Sequence, residues 1–207
     1  MSNTRILLIR HGQTDLNREG RFRGMSDSPL NENGLREAAS AAKVVARFEV
    51  SSIHSSPVRR ALQTAQIISD ACGVPVVQDN DFIDVNYGGW QGLKVSEVAD
   101  QFGSEAIEAW KRDPVGFEFP GGDRLSDVLT RLKDALSRLF NEYEGLNVCV
   151  VSHLAVLKLA FLAAFELPSE WFWRLELENG SVSSILYSQE RGIILETWNF
   201  VSDMKVL

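Results

Sequence analysis

Arg5-Ile-Leu-Leu-Ile-Arg-His-Gly-Gln-Thr-Asp-Leu-Asn17 decides how the rest of this chain is read. Ile6 to Ile9 form an apolar run that predicts a buried strand over 4–9, and that strand delivers Arg10, His11 and Gly12 to its carboxyl end. An arginine offers a planar fork of N–H donors that fits phosphate oxygens, and a histidine offers a nitrogen that attacks or exchanges a proton near neutral pH. Open α/β sheets present ligands at the carboxyl ends of their strands, so the position agrees with the chemistry.

Outward from that stretch, strand and helix periodicities alternate, the signature of an α/β domain. A helix over 32–48 places Leu35, Ala38, Ala39, Ala42, Val45 and Ala46 on one face. A short strand at 52–54 precedes a helix that Pro57 opens and Gly73 ends, and a second short strand covers 74–77. Residues 81–122 are irregular and rich in glycine and aromatics, with helices at 96–102 and 104–110, as in a lid or substrate pocket. The clearest helix runs from 123 to 143, with Asp123 as its cap. Residues 148–151 form a buried strand ending at Ser152 and His153. A core helix covers 154–165, its apolar run interrupted by Lys158. Strands at 174–177, 182–187 and 193–198 follow, and the strand near Tyr187 is a candidate homodimer edge.

The 207 residues suffice for one domain, 1–207, with a core that needs no staples. A composition of 44% hydrophobic and 24% charged residues excludes disorder, and a net charge of −7 argues against a broad nucleic-acid or anionic-membrane surface. No stretch reads as a secretory signal or a bilayer span. Cys72 and Cys149 read as buried reduced thiols, which fits the cytoplasm.

Two of the three histidines, His11 and His153, end strands and so converge on one crevice; His54 reads as structural. In Ser55-Ser-Pro-Val-Arg-Arg-Ala-Leu-Gln-Thr-Ala65, Arg59 and Arg60 open a helix, and at about 100° per residue only one of them can enter the crevice. The residues alone leave that choice open. Asp79 and Asp81 read as solvated loop carboxylates. Arg21 and Arg23 are candidates for binding the rest of an anionic substrate, with surface ion pairs as the competing role.

The ordered strings RHGQTDLNREGRFRG, DSPLNENG, SSPVRRALQTA, YGGWQG, FPGGD and VVSH resemble the histidine phosphatase superfamily, in its phosphoglycerate-mutase-like branch with α-ribazole-phosphatase-like enzymes. The resemblance runs from Arg5 to about Ser184. It implies a three-layer α/β sandwich, with a mostly parallel central sheet, helices on both faces and a lid-like insertion at 81–122. It further implies a phosphoric monoester hydrolase that acts on a small phosphate ester and needs no metal or cofactor. His11 would be the nucleophile, forming a phosphohistidine. Arg10, Asn17, Arg60 and His153 would hold the phosphoryl oxygens, the match selecting Arg60 over Arg59. Arg21, Arg23 and Gly24 would contact substrate. The general acid falls on Asp84, where the family ordinarily has a glutamate one methylene longer.

Two rivals remain. A cofactor-dependent phosphoglycerate mutase would need extra cations after the acid, where Leu93 to Pro120 supplies Lys94, Lys111 and Arg112. A non-catalytic phosphate-binding or scaffold protein would keep the fold while losing a member of the site, and only the Asp84 departure points that way.

Overall fold

A computed structural model describes residues 3–201. In chain order its elements are β1 (Thr4–Arg10), α1 (Asp15–Arg18), α2 (Glu32–Val45), β2 (Ser52–Ser55), α3 (Arg59–Cys72) and β3 (Val76–Gln78). Then come α4 (Val95–Phe102), α5 (Ser104–Arg112), α6 (Leu125–Glu142), β4 (Asn147–Ser152), α7 (Leu154–Phe165), β5 (Val182–Ser188) and β6 (Gly192–Phe200). The strands form one sheet in the order β3-β2-β4-β1-β5-β6. The first four of these are parallel neighbours, and β5 and β6 add an antiparallel flank.

Both faces of this sheet are covered because β1 is apolar from Ile6 to Ile9 and β4 from Val148 to Val151, and alternate side chains point to opposite sides. Ile6, Leu8, Val148 and Val150 pack with the α6 and α7 residues Leu132, Leu136, Leu139, Val156 and Leu159. Leu7, Ile9, Cys149, Val151 and Ile53 pack on the other face with Ala41, Ala42 and Val45 of α2 and Ala61, Ala65 and Ile68 of α3. The result is the three-layer α/β sandwich with a mostly parallel sheet that the sequence implies.

Several local expectations are revised. The buried face of α2 is Gly34, Ala38, Ala41, Ala42 and Val45, whereas Leu35 is exposed. Small residues win that face because the loop after β1 packs against it: a Cβ on Gly12 would lie 2.2 Å from the carbonyl oxygen of Gly34. Residues 174–177 form no strand. Helix α3 starts at Arg59, two residues beyond Pro57. Asp123 does not cap α6, whose N-cap is Arg124; its carboxylate instead accepts from the backbone N–H of Asn86 at 2.8 Å, pinning the loop after Asp84. Tyr187 lies on β5, which is paired on both sides, so it marks no edge; the edge strand there is β6. Cys149 is buried as expected, but Cys72 is only half-buried.

Candidate active site

The parallel pairing of β1 with β4 sets Arg10 beside Ser152, so the next residues, His11 and His153, leave adjacent strand ends together. Their ring centroids are 5.1 Å apart and both side chains are buried. The His11 backbone N–H donates to the carbonyl of Ser152 at 3.0 Å, which fixes this alignment. On the other side of β4, β2 delivers Ser56, and α3 begins three residues later.

His11 is oriented by its own loop. Its Nδ1 lies 2.7 Å from the carbonyl oxygen of Gly12. A carbonyl only accepts, so Nδ1 carries the proton and Nε2 keeps its lone pair. Arg60 Nε donates to that Nε2 at 3.2 Å. Burial, and then the charges of Arg60 and Arg10, push the His11 pKa well below its usual value, so the ring is neutral near pH 7. Burial and Arg60 push His153 down in the same way. His153 Nε2 pairs with Ser56 Oγ at 2.8 Å, and its Nδ1 lies 3.4 Å from Asp84 Oδ2 without making a hydrogen bond.

The question of which arginine enters the crevice has a clear structural answer. Arg60 is fully buried and donates to the carbonyls of Gly24 (2.7 Å) and Ser26 (3.0 Å) and to Asp84 Oδ2 (2.5 Å). Arg59 is exposed and lies 3.5 Å from Asp27. Gly24 thus contributes its backbone oxygen, and its positive φ of 49° suits glycine.

Arg10 donates to the carbonyl oxygen of Leu177, while its Nε is buried without a partner. Burial, reinforced by Arg23, lowers its pKa to about 10, which leaves it charged. Arg23 donates one N–H to the carbonyl of Arg21 at 3.1 Å, and its Nε too is buried and unpaired. Arg23 lines the same cavity as Leu154 and Ala155, the residues that follow His153. Arg21 differs: Glu19, Glu97 and the carbonyl of Gly92 take its guanidinium at 2.7–2.8 Å. Asn17 Oδ1 accepts from the Thr14 N–H (2.9 Å) and Thr14 Oγ1 (2.8 Å), a capping box on α1 that fixes its side chain.

Asp84 is buried, and Val85 N–H donates to its Oδ1 at 2.9 Å. Burial raises its pKa against the opposing pull of Arg60 and Arg23. The other two carboxylates lie elsewhere. Asp79 is not solvated but held at 2.7–2.9 Å by Arg138 and His54. Asp81 also pairs with Arg138. His54 is completed by Tyr143 at 3.1 Å, a structural cluster behind the sheet end.

A cavity of about 240 Å³ adjoins the cage, lined by Arg21, Phe22, Arg23, Tyr87, Leu154 and Lys158, with Trp110, Phe172 and Trp173 among its aromatic walls. It lies below the roughly 300–1,000 Å³ of drug-sized sites, as suits a small metabolite. A larger cleft is lined by Glu118, Asp123 and Asp127 together with Arg124 and Arg131, and its carboxylates disfavour a phosphate. No group of three or more His, Cys, Asp or Glu able to hold a metal ion occurs among the described residues. No described helix is long and apolar enough to cross a membrane.

Ser56 and Asn179, whose amide donates to the His11 carbonyl at 3.0 Å, were not legible as site neighbours. Their residue types and spacing carry no distinguishing signal. Lys158 carried one, as the lone charge in an apolar helix.

Residues 6–201 match the model of the histidine phosphatase superfamily (branch 1). The chain belongs to this family. Phosphoserine phosphatase 1 of Hydrogenobacter thermophilus is 30% identical over 192 residues, 93% of this chain and 90% of the relative. A probable phosphoglycerate mutase of Enterobacter is 32% identical over 188 residues, 89% and 85% of the two chains. Among solved structures, a mycobacterial glucosyl-3-phosphoglycerate phosphatase with VO3 superposes with a TM-score of 0.85 at 28% identity, covering 94% of this chain and 98% of that one. The chain spans about half the length of the first curated relatives it matches, mycobacterial proteins 36% identical over 181 residues. In this superfamily member the Arg10-His11-Gly12 segment and His153 lie at the carboxyl ends of the adjacent parallel strands β1 and β4.

Proposed function

We propose that this protein is a metal-independent phosphatase that hydrolyses a small phosphorylated metabolite through a phosphohistidine. One observation carries the reading: two buried N–H donors, Arg10 Nε and Arg23 Nε, and the buried ring nitrogen His153 Nδ1 have no partner, while a neutral His11 keeps an Nε2 lone pair that accepts from Arg60. Buried donors are ordinarily satisfied, and leaving one unpaired costs about 1–3 kcal/mol. A phosphoryl group would satisfy all three.

In this reading His11 Nε2 attacks phosphorus in line with the departing alcohol. Arg10, Arg23, Arg60, His153 and the amide of Asn17 hold the phosphoryl oxygens as their charge redistributes. Protonated Asp84 gives its proton to the leaving oxygen, so alcohol departs and the phosphoryl group stays on His11. The Asp84 carboxylate then takes a proton from water as the water attacks phosphorus, releasing inorganic phosphate and restoring His11 and the acid. Cationic side chains supply the charge stabilisation for which other phosphoryl-transfer enzymes use a metal. Arg21, drawn into ion pairs at the cavity mouth, and Gly24, through its carbonyl on Arg60, contribute to the substrate side. Phosphatase-named relatives support the reading. The mutase alternative is disfavoured because Lys94, Lys111 and Arg112 are all exposed and none lines the cavity.

The test is His11→Ala with p-nitrophenyl phosphate. Turnover and acid-labile phosphoryl label on the protein both disappear in the variant; unchanged hydrolysis would end the nucleophile assignment.

A further inference from the structure

Helix α7 is apolar throughout except at Lys158, and that lysine does not reach solvent. Its side chain is only 5% exposed and lines the cavity beside the phosphate cage. The ammonium lies 5.3 Å from the centre of the Phe172 ring. Its one carboxylate neighbour among the described residues, Glu176, stands 3.7 Å away, beyond hydrogen-bond range, and is itself 76% exposed. Lys158 lies on the helix capped by His153 and lines the cavity together with Arg23, Leu154 and Ala155, which places it near the histidine end of the site. Burying an ammonium against an apolar wall costs several kcal/mol unless an anion compensates. A loosely held, solvated glutamate compensates little.

We propose that Lys158 binds a carboxylate on the alcohol portion of the substrate, making this enzyme selective for phosphate esters of hydroxy acids. The inference rests on the phosphatase reading above. A single ammonium is a point charge that balances one carboxylate. A second phosphate would call for the several convergent donors found around His11, and this end of the cavity has Phe172, Trp173 and Leu154 instead. Phosphate at Arg10 and carboxylate at Lys158 then fix both ends of a short molecule, while Glu176 is the internal anion that the substrate carboxylate replaces.

The experiment compares kcat/KM for phosphoserine with that for O-phosphoethanolamine, which lacks only the carboxylate, and uses p-nitrophenyl phosphate as the control. The wild-type protein favours phosphoserine, and Lys158→Met reduces that preference by about ten- to a hundredfold, the range expected for one charge-assisted contact. Hydrolysis of p-nitrophenyl phosphate changes less than about threefold, because the reacting groups are intact. Glu176→Gln moves the preference the other way by increasing the phosphoserine rate. The same pair of esters is titrated calorimetrically into the His11→Ala protein, which reads the subsite without turnover. A wild-type protein that cleaves p-nitrophenyl phosphate but does not distinguish the two esters, or a Lys158→Met variant that loses all three activities equally, overturns the Lys158 assignment and leaves the phosphatase reading standing. Carboxylate-dependent binding without any turnover would instead sink the phosphatase reading and keep the subsite.

Discussion

Asp84→Asn separates proton donation from charge balance at the least ordinary position of the site. The substitution preserves shape: the side-chain carbonyl can still accept from the Val85 N–H, as Oδ1 does at 2.9 Å. It removes the transferable proton and the negative charge 2.5 Å from Arg60. General acid catalysis contributes about 10²–10⁴ in rate, so hydrolysis of an alkyl ester such as phosphoserine falls by that factor. p-Nitrophenolate leaves without a proton, and its ester loses less than about tenfold. KM falls for both esters, because Arg60 no longer divides its charge between carboxylate and phosphate.

The pH profile supplies an independent reading. Burial raises Asp84 above its ordinary 3.8, so the protonated acid is depleted as pH rises through the raised value. The alkyl-ester rate therefore declines on that side in the wild-type protein and loses the decline in Asp84→Asn. His11, pushed down by burial and Arg60, keeps its lone pair to pH values well below 6.5 and sets the opposite limb. Phosphate release measured across pH with both esters is the assay. Equal losses for the two esters, or a high-pH decline that survives in the variant, would refute the acid assignment and leave Asp84 as the residue that positions Arg60.

Three further outcomes follow from packing and ion pairing. Gly12→Ala forces a Cβ to 2.2 Å from the Gly34 carbonyl and displaces the oxygen that orients His11; kcat falls more than about a hundredfold, a misplacement cost, and an unchanged kcat would show that the loop absorbs the clash. Trp90→Ala opens a cavity among Phe22, Trp110, Phe117 and Phe119 and costs about 3–5 kcal/mol in denaturant unfolding, a loss under 1 kcal/mol being incompatible with the packing. Asp79 is pushed up by burial, but the hydrogen bonds from His54 and Arg138 prevail and hold it at about 2 against an ordinary 3.8. Its carboxylate thus adds stability that is present above its unfolded value and is lost as pH falls through about 2. Asp79→Asn costs about 1–2 kcal/mol at pH 7 and progressively less as pH falls through about 2, so a cost that does not shrink toward low pH would exclude the ionic origin.

The parts of this molecule that could be read from its sequence are those set by local periodicity and strand direction. β1 and β4 are uninterrupted apolar runs, their carboxyl ends carry the two histidines, and α6 repeats leucine with helical spacing. What escaped depends on which neighbour a side chain meets. Leu35 has helical spacing yet faces outward, because the close approach of Gly12 to Gly34 gives that face to small residues. Asp123 precedes a helix and looks like its cap, but the Asn86 N–H reaches it from the loop and takes its carboxylate. Arg59 and Arg60 are equivalent by composition, and only the family resemblance separated them before the carbonyls of Gly24 and Ser26 did so by geometry.

The same long-range contacts explain how a chain of net charge −7 concentrates cations at one end of its sheet. Arg10 and Arg60 are buried near two histidines that burial, and then these charges, keep neutral, and Asp84 is the carboxylate bonded directly to Arg60. Its carboxylate faces Arg60 at 2.5 Å. On the proposed mechanism a phosphate dianion entering the cage would take over that place beside Arg60 and repel the carboxylate, raising the Asp84 pKa further and favouring its protonated form. Under the proposed mechanism the acid would thereby hold its proton when a leaving group is present to receive it, and after the alcohol had gone the carboxylate would again face Arg60 in the form that activates water. Because Asp84 is bonded directly to Arg60 at 2.5 Å, this mechanism would couple the protonation of the acid to occupancy of the cage.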